Sequence, residues 1–420
     1  MDQTSVDPHW ISLLPFLLLL AAIALAPLFF ADWWGKHYPK ICFALAGGVA
    51  LYYHFGLHAS GRVLHTLNEY ISFIALVGSL FVVSGGIHIR VKGEATPLAN
   101  TLFLAVGAVM ANLLGTTGAS MLLIRPWLRM NKYRVTGHHV VFFIFIVSNV
   151  GGCLTPVGDP PLFLGYLTGV PFWWVAEKCW PIWLSGVGIL LGMFFLVDSR
   201  NYAKAPKPVR DEQTREEKWR FDGKGNLIFL AVILGAVFVN QPPFLREILM
   251  IAAAAGSYLT TGKSVHKANQ FTFHPVKEVA ILFIGIFGTM MPALDWLALN
   301  AGKLSHPTPE LFYFGSGTLS SVLDNAPTYL SFLSALFGVA NSNDIHFVLA
   351  QHPVAIMAIS VGSVFFGANT YIGNGPNFMV KAIADHQKVH TPTFVGYVAR
   401  YTIPFMLPML VIVWFFFFRG

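Results

Sequence analysis

The chain has 420 residues, of which 55% are hydrophobic and only 11% charged. Soluble domains carry roughly 25% charged residues, so this composition, with a mean hydropathy of +0.61, excludes a soluble globular protein and predicts an all-α polytopic membrane protein. The net charge of +7 would suit nucleic acid, but the basic residues gather in particular loops without a basic and aromatic surface, so no nucleic-acid partner is expected.

In chain order, Met1 to Trp10 hold Asp2 and Asp7 but no Lys or Arg, and the run Ile11 to Phe30 is too long for a signal-peptide core, so it reads as a first spanning helix. Further apolar runs at 40–57, 69–89, 181–198, 225–240, 244–260, 276–294 and 393–418 are crossing candidates, as are two interrupted runs at 138–176 and 352–386. Stretches 97–130 and 309–340 carry a polar or Gly/Pro break at their middle and read as re-entrant hairpins. That gives about ten full crossings. Residues 198–224 alternate basic and acidic side chains and read as a solvated linker. Trp33, Trp34, Trp173, Trp174, Trp180 and Trp183 fall at run ends and fit an aromatic belt. The three cysteines, Cys42, Cys153 and Cys179, have neither metal nor redox spacing.

The stretch Ser148-Asn149-Val150-Gly151-Gly152-Cys153-Leu154-Thr155-Pro156-Val157-Gly158-Asp159-Pro160-Pro161 lies inside one interrupted run and cannot continue a helix. Non-helical backbone at membrane depth is tolerated only where it is buried in protein or lines a water-filled cavity. In the second half, Thr370-Tyr371-Ile372-Gly373-Asn374-Gly375-Pro376 matches Thr155 to Pro161 without a gap, with Asn374 opposite Asp159. Each half also has an earlier interruption, Gly115 to Ser120 and Asp324 to Tyr329. Two broken segments at corresponding places predict an inverted-repeat transporter with its site at the repeat interface. The expected divisions are N-terminal scaffold helices at 1–68, a first repeat at 69–198, a cytoplasmic linker at 199–224, scaffold helices at 225–275 and a second repeat at 276–420. With hairpins returning to their own side, Lys36, Lys40, Arg90, Lys92, Arg125, Arg129, Lys132, Arg134, the 200–224 run, Lys263, Lys267, Lys277, Lys381, Lys388 and Arg400 share the cytoplasmic side, and only Arg62, Lys178, Arg246, Lys303 and Arg419 the other. The expected arrangement is a multi-pass protein of the inner (plasma) membrane with both termini outside the cytoplasm.

Asp159 and Asp324 are the only carboxylates within the predicted breaks. An ionisable group at that depth must be offset by a cation, a proton or hydrogen bonds; an Asp at a broken helix end is also a good cap. Ser148, Asn149, Thr155, Asn325, Thr328, Thr370, Asn374 and Asn377 add neutral oxygens and amides, beside glycines such as Gly158 and Gly373 that let backbone carbonyls approach. Such oxygens suit a hard cation, whereas half-helix N-termini favour an anion, and spacing alone does not choose. Glu69 and Glu278 read as interfacial carboxylates, Asp295 and Glu247 as loop or edge residues, and His138-His139 as an interfacial pair at a helix start. There is no P-loop, zinc spacing or nucleophile-base set, so no enzymatic activity is expected.

The Ser148 to Gly152 segment followed by Thr155 and Gly158 to Pro161, together with Asp324-Asn325-Ala326-Pro327-Thr328 and Tyr371 to Asn377, resembles the signature of the ion transporter superfamily. That superfamily includes arsenite permeases, D-type sodium/proton antiporters, citrate transporters and sodium-coupled dicarboxylate carriers, and the likeness is greatest to its citrate transporter or sodium:proton antiporter branch. The resemblance covers roughly 69–400 and implies a homodimer of scaffold and transport domains that moves like an elevator. It also implies a site at Asn149, Thr155, Asp159, Asp324, Asn325, Thr370, Asn374 and Asn377, with Na+ held at Asp159, Asp324, Asn149 and Asn374. The first hairpin tip, Gly115-Thr116-Thr117-Gly118, lacks the Ser-Asn-Thr triplet of dicarboxylate carriers, and no arginine lies in any break. The expectation is therefore Na+/H+ exchange with Asp159 and Asp324 as alternating carriers, Na+ being coupling or transported ion and no resident cofactor being needed. The alternative is Na+-coupled symport of a small oxyanion or carboxylate.

Overall fold

A computed structural model describes residues 6–90, 95–204, 220–239, 241–301 and 307–419. The fold is almost wholly helical. Its first helices are α1 (Leu14–Phe29), α2 (Ala31–Leu51, prolonged by a π-turn at Tyr52–Gly56) and α3 (Ser60–Gly85). Helix α3 begins well before the apolar run because Arg62, His65 and Glu69 are helical too, with Arg62 paired to Asp295 at 3.0 Å and His65 facing Glu69 at 3.5 Å. Asp295 also accepts from the Tyr53 hydroxyl at 2.8 Å, so it ties three helices together and is not a loose loop residue.

Helix α4 (Pro97–Met130) is continuous in its hydrogen bonding except at Gly115, whose φ of 74° and ψ of 155° reverse the chain. Straight, it would hold Asn100 and Asn131 about 46 Å apart at about 1.5 Å per residue. Instead the Asn100 amide donates to Asn131 at 2.8 Å, and Phe103 stacks on Trp127. The stretch is a hairpin, as its mid-run break implied. It is followed by α5 (Gly137–Ile146), α6 (Pro160–Leu167) and α7 (Trp174–Ala203). Val140 to Val147 are fully buried, which explains why α5 is apolar all round.

The stretch expected as a solvated linker departs from that reading at both ends. Helix α7 runs on to Ala203, and strand β2 (Arg220–Asp222) pairs antiparallel with β1 (His88–Arg90), bringing Ile89 opposite Phe221. Residues 205–219 lie outside the described residues. Next come α8 (Asn226–Ala236), α9 (Leu245–Thr260), α10 (Lys263–Ala268) and α11 (His274–Asn300). A second hairpin follows as α12 (Pro309–Ser320) and α13 (Asn325–Ala340), its arms so close that a Cβ on Gly315 would lie 2.8 Å from the Phe332 ring. The chain ends with α14 (Ile345–Gln351), α15 (Pro353–Phe366), α16 (Gly375–His386) and a terminal helix from Phe394 to Phe417 with a π-helical middle. Helices α14 and α15 meet at a 99° bend.

Among the described residues, six helices are long and apolar enough to cross a membrane, or seven if the bent pair counts as one. One of the six is α4, which folds back on itself. Large apolar side chains on α1, such as Leu17, Leu18 and Phe29, are exposed, as a lipid-facing surface requires. The tryptophans divide: Trp33, Trp173 and Trp180 are exposed, whereas Trp34 is buried and Trp183 donates its indole N–H to the Gly151 carbonyl at 2.9 Å. The last two therefore depart from the expected belt.

Candidate functional site

The two hairpin tips and two broken segments converge on Asp159. Its backbone has N-cap geometry for α6 (φ −142°, ψ 144°), yet its side chain makes no capping bond. The reason lies in the residues that follow. Capping bonds come from the second or third helical N–H; the second position is Pro161, which has none, and the third, Leu162, gives its N–H to the Asp159 backbone carbonyl at 3.1 Å. The freed carboxylate, only 1% exposed, turns inward. It accepts from the Thr116 hydroxyl at 2.6 Å, the Asn374 amide at 3.1 Å and the Asn325 amide at 2.5 Å. Among the described residues no Lys, Arg or His side chain touches it.

Each donor comes from a different break: Thr116 from the first hairpin tip, Asn325 from the second, Asn374 from the second broken segment. The Asn374 amide also reaches Asn149 Oδ1 and the Ser148 carbonyl, both at 3.2 Å. Asn149 donates to Asn377 Oδ1 at 2.7 Å, and Asn377 donates to the carbonyls of Gly367 and Thr370 at 2.8 and 2.9 Å. A chain of amides thus connects the carboxylate in one break to bare backbone in the other. Asn325 Oδ1 is buried with no hydrogen-bond partner.

The two breaks are built alike. Thr155 donates to the Asn112 carbonyl and Thr370 to the Ser321 carbonyl, both at 2.6 Å. Each threonine oxygen then accepts from a glycine N–H, Gly158 at 3.0 Å and Gly373 at 3.2 Å. A Cβ on Gly158 would lie 2.1 Å from the Gly152 carbonyl oxygen, and one on Gly373 2.5 Å from that of Gly367, so only glycine fits either place. Thr155 and Thr370, Gly158 and Gly373, and Gly152 and Gly367 are each separated by the interval between Asp159 and Asn374, 215 residues, whereas the carbonyls of Asn112 and Ser321 come from positions 209 apart.

Asp324 stands apart from this cluster. It is partly exposed and caps α13 by accepting from Ala326 N at 3.0 Å, while Thr328 Oγ1 donates to its backbone carbonyl at 2.9 Å. Of the expected residues, Ser148, Asn149, Asp159, Asn325, Asn374 and Asn377 form one connected group. Thr155, Thr370, Gly158 and Gly373 shape the two breaks, and Asp324 and Thr328 belong to the second hairpin's cap. Two participants were not expected. Thr116 contacts Asp159 directly. Asn112 splints the first break, donating to the Gly151 carbonyl at 2.7 Å and accepting from Leu154 N at 2.9 Å. Its signal in the sequence was an amide one turn ahead of the Gly115 interruption.

A second buried polar cluster lies at the base of the first hairpin. Both terminal nitrogens of Arg134 donate to the buried Asp198 carboxylate, as does Asn100 at 2.9 Å. His138 and His139, expected at an interface, are buried and face the same carboxylate at 3.2 and 3.1 Å. Thr136 N donates to His139 Nδ1 at 3.2 Å, which leaves His139 Nε2 to carry the proton toward Asp198. Arg134 Nη1 binds the same Asp198 oxygen that faces both imidazoles and lies 3.4 Å from His139 Nε2, so the cluster already holds its own cation and locks α4, α5 and α7 together.

Membrane-length helices interrupted around a buried, cation-free carboxylate define a multi-pass membrane protein of the secondary-transporter class. The chain belongs to the family described as "Putative citrate transport", whose model matches residues 5–418. No curated protein matches it.

Proposed function

We propose that the protein exchanges Na+ for H+ at Asp159 by an elevator-type movement of a domain built from the two hairpins and two broken segments. The observation that carries this reading is a fully buried carboxylate held by three neutral donors, beside the unpartnered oxygen of Asn325. That oxygen serves both cargoes. With H+ on Asp159, a turned Asn325 amide accepts the new O–H; with Na+ there, it joins the carboxylate as a hard oxygen ligand. The matched contacts of the two breaks support an inverted repeat, in which alternating access follows from moving one unit about a fixed site. Asp324 then guards the second hairpin tip, and a homodimer would supply the static frame.

A second reading is favoured by the family description: Na+-coupled uptake of citrate or a similar small carboxylate. Helix N-termini at Asp159, Asn325 and Asn374 converge there and would favour an anion once a cation neutralises the carboxylate. Proteoliposomes with a preset pH gradient and an internal pH dye separate the two. Collapse of the gradient on adding Na+ alone is the expected result. A silent dye, with labelled citrate accumulating only under an inward Na+ gradient, would replace exchange by symport.

A further inference from the structure

Helices α8 and α9 form a short hairpin against α3. At one end the three share a level, since Asn226 donates to the Gly86 carbonyl at 2.7 Å and to Thr261 Oγ1 at 2.9 Å. From that level Glu247 lies 14 residues back along α9 from Thr261, and Ser72 a similar distance back along α3, each about 20 Å at about 1.5 Å per residue. The two estimates agree, because Ser72 Oγ donates to Glu247 Oε1 at 2.5 Å. Leu245, the first residue of α9, lies 16 residues or about 24 Å from Thr261, whereas α3 reaches Ser60, 26 residues or about 39 Å from Gly86, so α3 runs on past the α8–α9 turn. Beside that turn lies a notch of about 200 Å³ lined by Asn68, Ser72, Pro243, Phe244, Arg246 and Glu247.

A charged pair sits in this notch. Arg246 binds Glu247 Oε1 through Nε at 3.0 Å and Nη2 at 2.9 Å, and Nη2 also reaches Ser72 at 3.0 Å. The Glu247 carboxylate also accepts from its own backbone N–H, while Arg246 Nη1 and the Asn68 amide make no hydrogen bond with another described residue. Glu247 is only 5% exposed, so the reading of it as an edge residue fails. The notch therefore presents a carboxylate and a guanidinium side by side. Around it Leu64 and Leu67 on α3 and Ile248 and Ile251 on α9 are exposed.

We propose that this notch is a binding site for a phospholipid headgroup that carries both a primary ammonium and a phosphate. The ammonium donates to Glu247 Oε2, the phosphate accepts from Arg246 Nη1 and Asn68, and the acyl chains lie on the exposed apolar faces of α3 and α9. A single anion would meet Glu247, and a quaternary amine has no N–H to donate, so the pair selects for an ethanolamine headgroup.

Native mass spectrometry of the delipidated full-length protein tests this with dioleoyl phosphatidylethanolamine, phosphatidylcholine and phosphatidylglycerol in equal amounts. Charge-assisted hydrogen bonds of roughly 1.5–3 kcal/mol predict phosphatidylethanolamine retained about tenfold or more over phosphatidylcholine. Glu247→Gln should bring the two level. Should that variant not fold, Asn68→Leu, which fills the notch and leaves the Arg246–Glu247 pair intact, should lose retained phosphatidylethanolamine with an unchanged melting temperature. Equal retention of the ethanolamine and choline lipids by the unaltered protein, or strongest retention of phosphatidylglycerol, overturns the proposal.

Discussion

Replacing Asp159 in two ways separates its charge from its place in the hydrogen-bond network. In Asp159→Asn the new amide oxygen can accept from Thr116 and Asn374, as Asp159 Oδ1 does now. The new N–H group then faces the Asn325 amide, but Asn325 Oδ1 has no partner, so a half-turn of that amide restores a donor to an acceptor. The expected stability cost is within about 1 kcal/mol, because the turn exchanges one unpartnered group of Asn325 for another, Oδ1 gaining a partner as Nδ2 gives one up. Asp159→Leu instead strands the Thr116 hydroxyl and the Asn325 amide, while Asn374 retains Asn149 and Ser148. Two stranded donors at about 1–3 kcal/mol each predict a loss of about 2–6 kcal/mol. Both variants should lose Na+-driven dye response in proteoliposomes, yet only Asp159→Leu should melt early in detergent. The reasoning is wrong if the two variants melt alike, or if Asp159→Asn still couples Na+ to protons.

Asn112→Ala removes both the donor to Gly151 and the acceptor for Leu154, so it should cost about 2–4 kcal/mol in thermal unfolding and disorder the first break. Arg134→Ala leaves Asp198 buried beside two histidines without its cation, and a loss of about 3–5 kcal/mol is expected; unchanged melting would show that the lock is not needed. Tyr329 is the contrasting case. Its buried hydroxyl and that of neighbouring Ser360 make no well-formed hydrogen bond among the described residues, so Tyr329→Phe should leave the melting temperature unchanged or raise it, and a clear drop would show that the two hydroxyls do pair.

The breaks were legible because apolar runs interrupted by Gly, Pro and Asp conflict with a spanning helix, and such conflict has few physical resolutions. Gly115, Asp159 and Asn374 all announced themselves that way. What the sequence could not show was which carboxylate would be freed. Asp159 and Asp324 look equivalent as residues before a half-helix; the difference is that Pro161 withholds the N–H that Ala326 supplies. Contacts between distant segments were equally hidden. His138, His139 and Asp198 are ordinary polar residues near run ends until the α4 hairpin closes and brings Arg134 among them. Glu247 and Ser72, far apart in the chain, gave no sign of each other, since neither interrupts a run.

The carboxylate at the centre of the cluster depends on residues made long after it. Asn325 follows Asp159 by 166 positions and Asn374 by 215. At a synthesis rate of roughly 5–20 residues per second, the first broken segment is in the membrane for roughly 10–40 s before its last partner has left the ribosome. Throughout that interval it holds an acid with only Thr116 to bind it, in a place where an unpaired charge is costly. Biogenesis of the first half is thus the earliest event in which Asp159 has reason to carry a proton, and a chain halted before Asn325 should be a preferred target of membrane quality control.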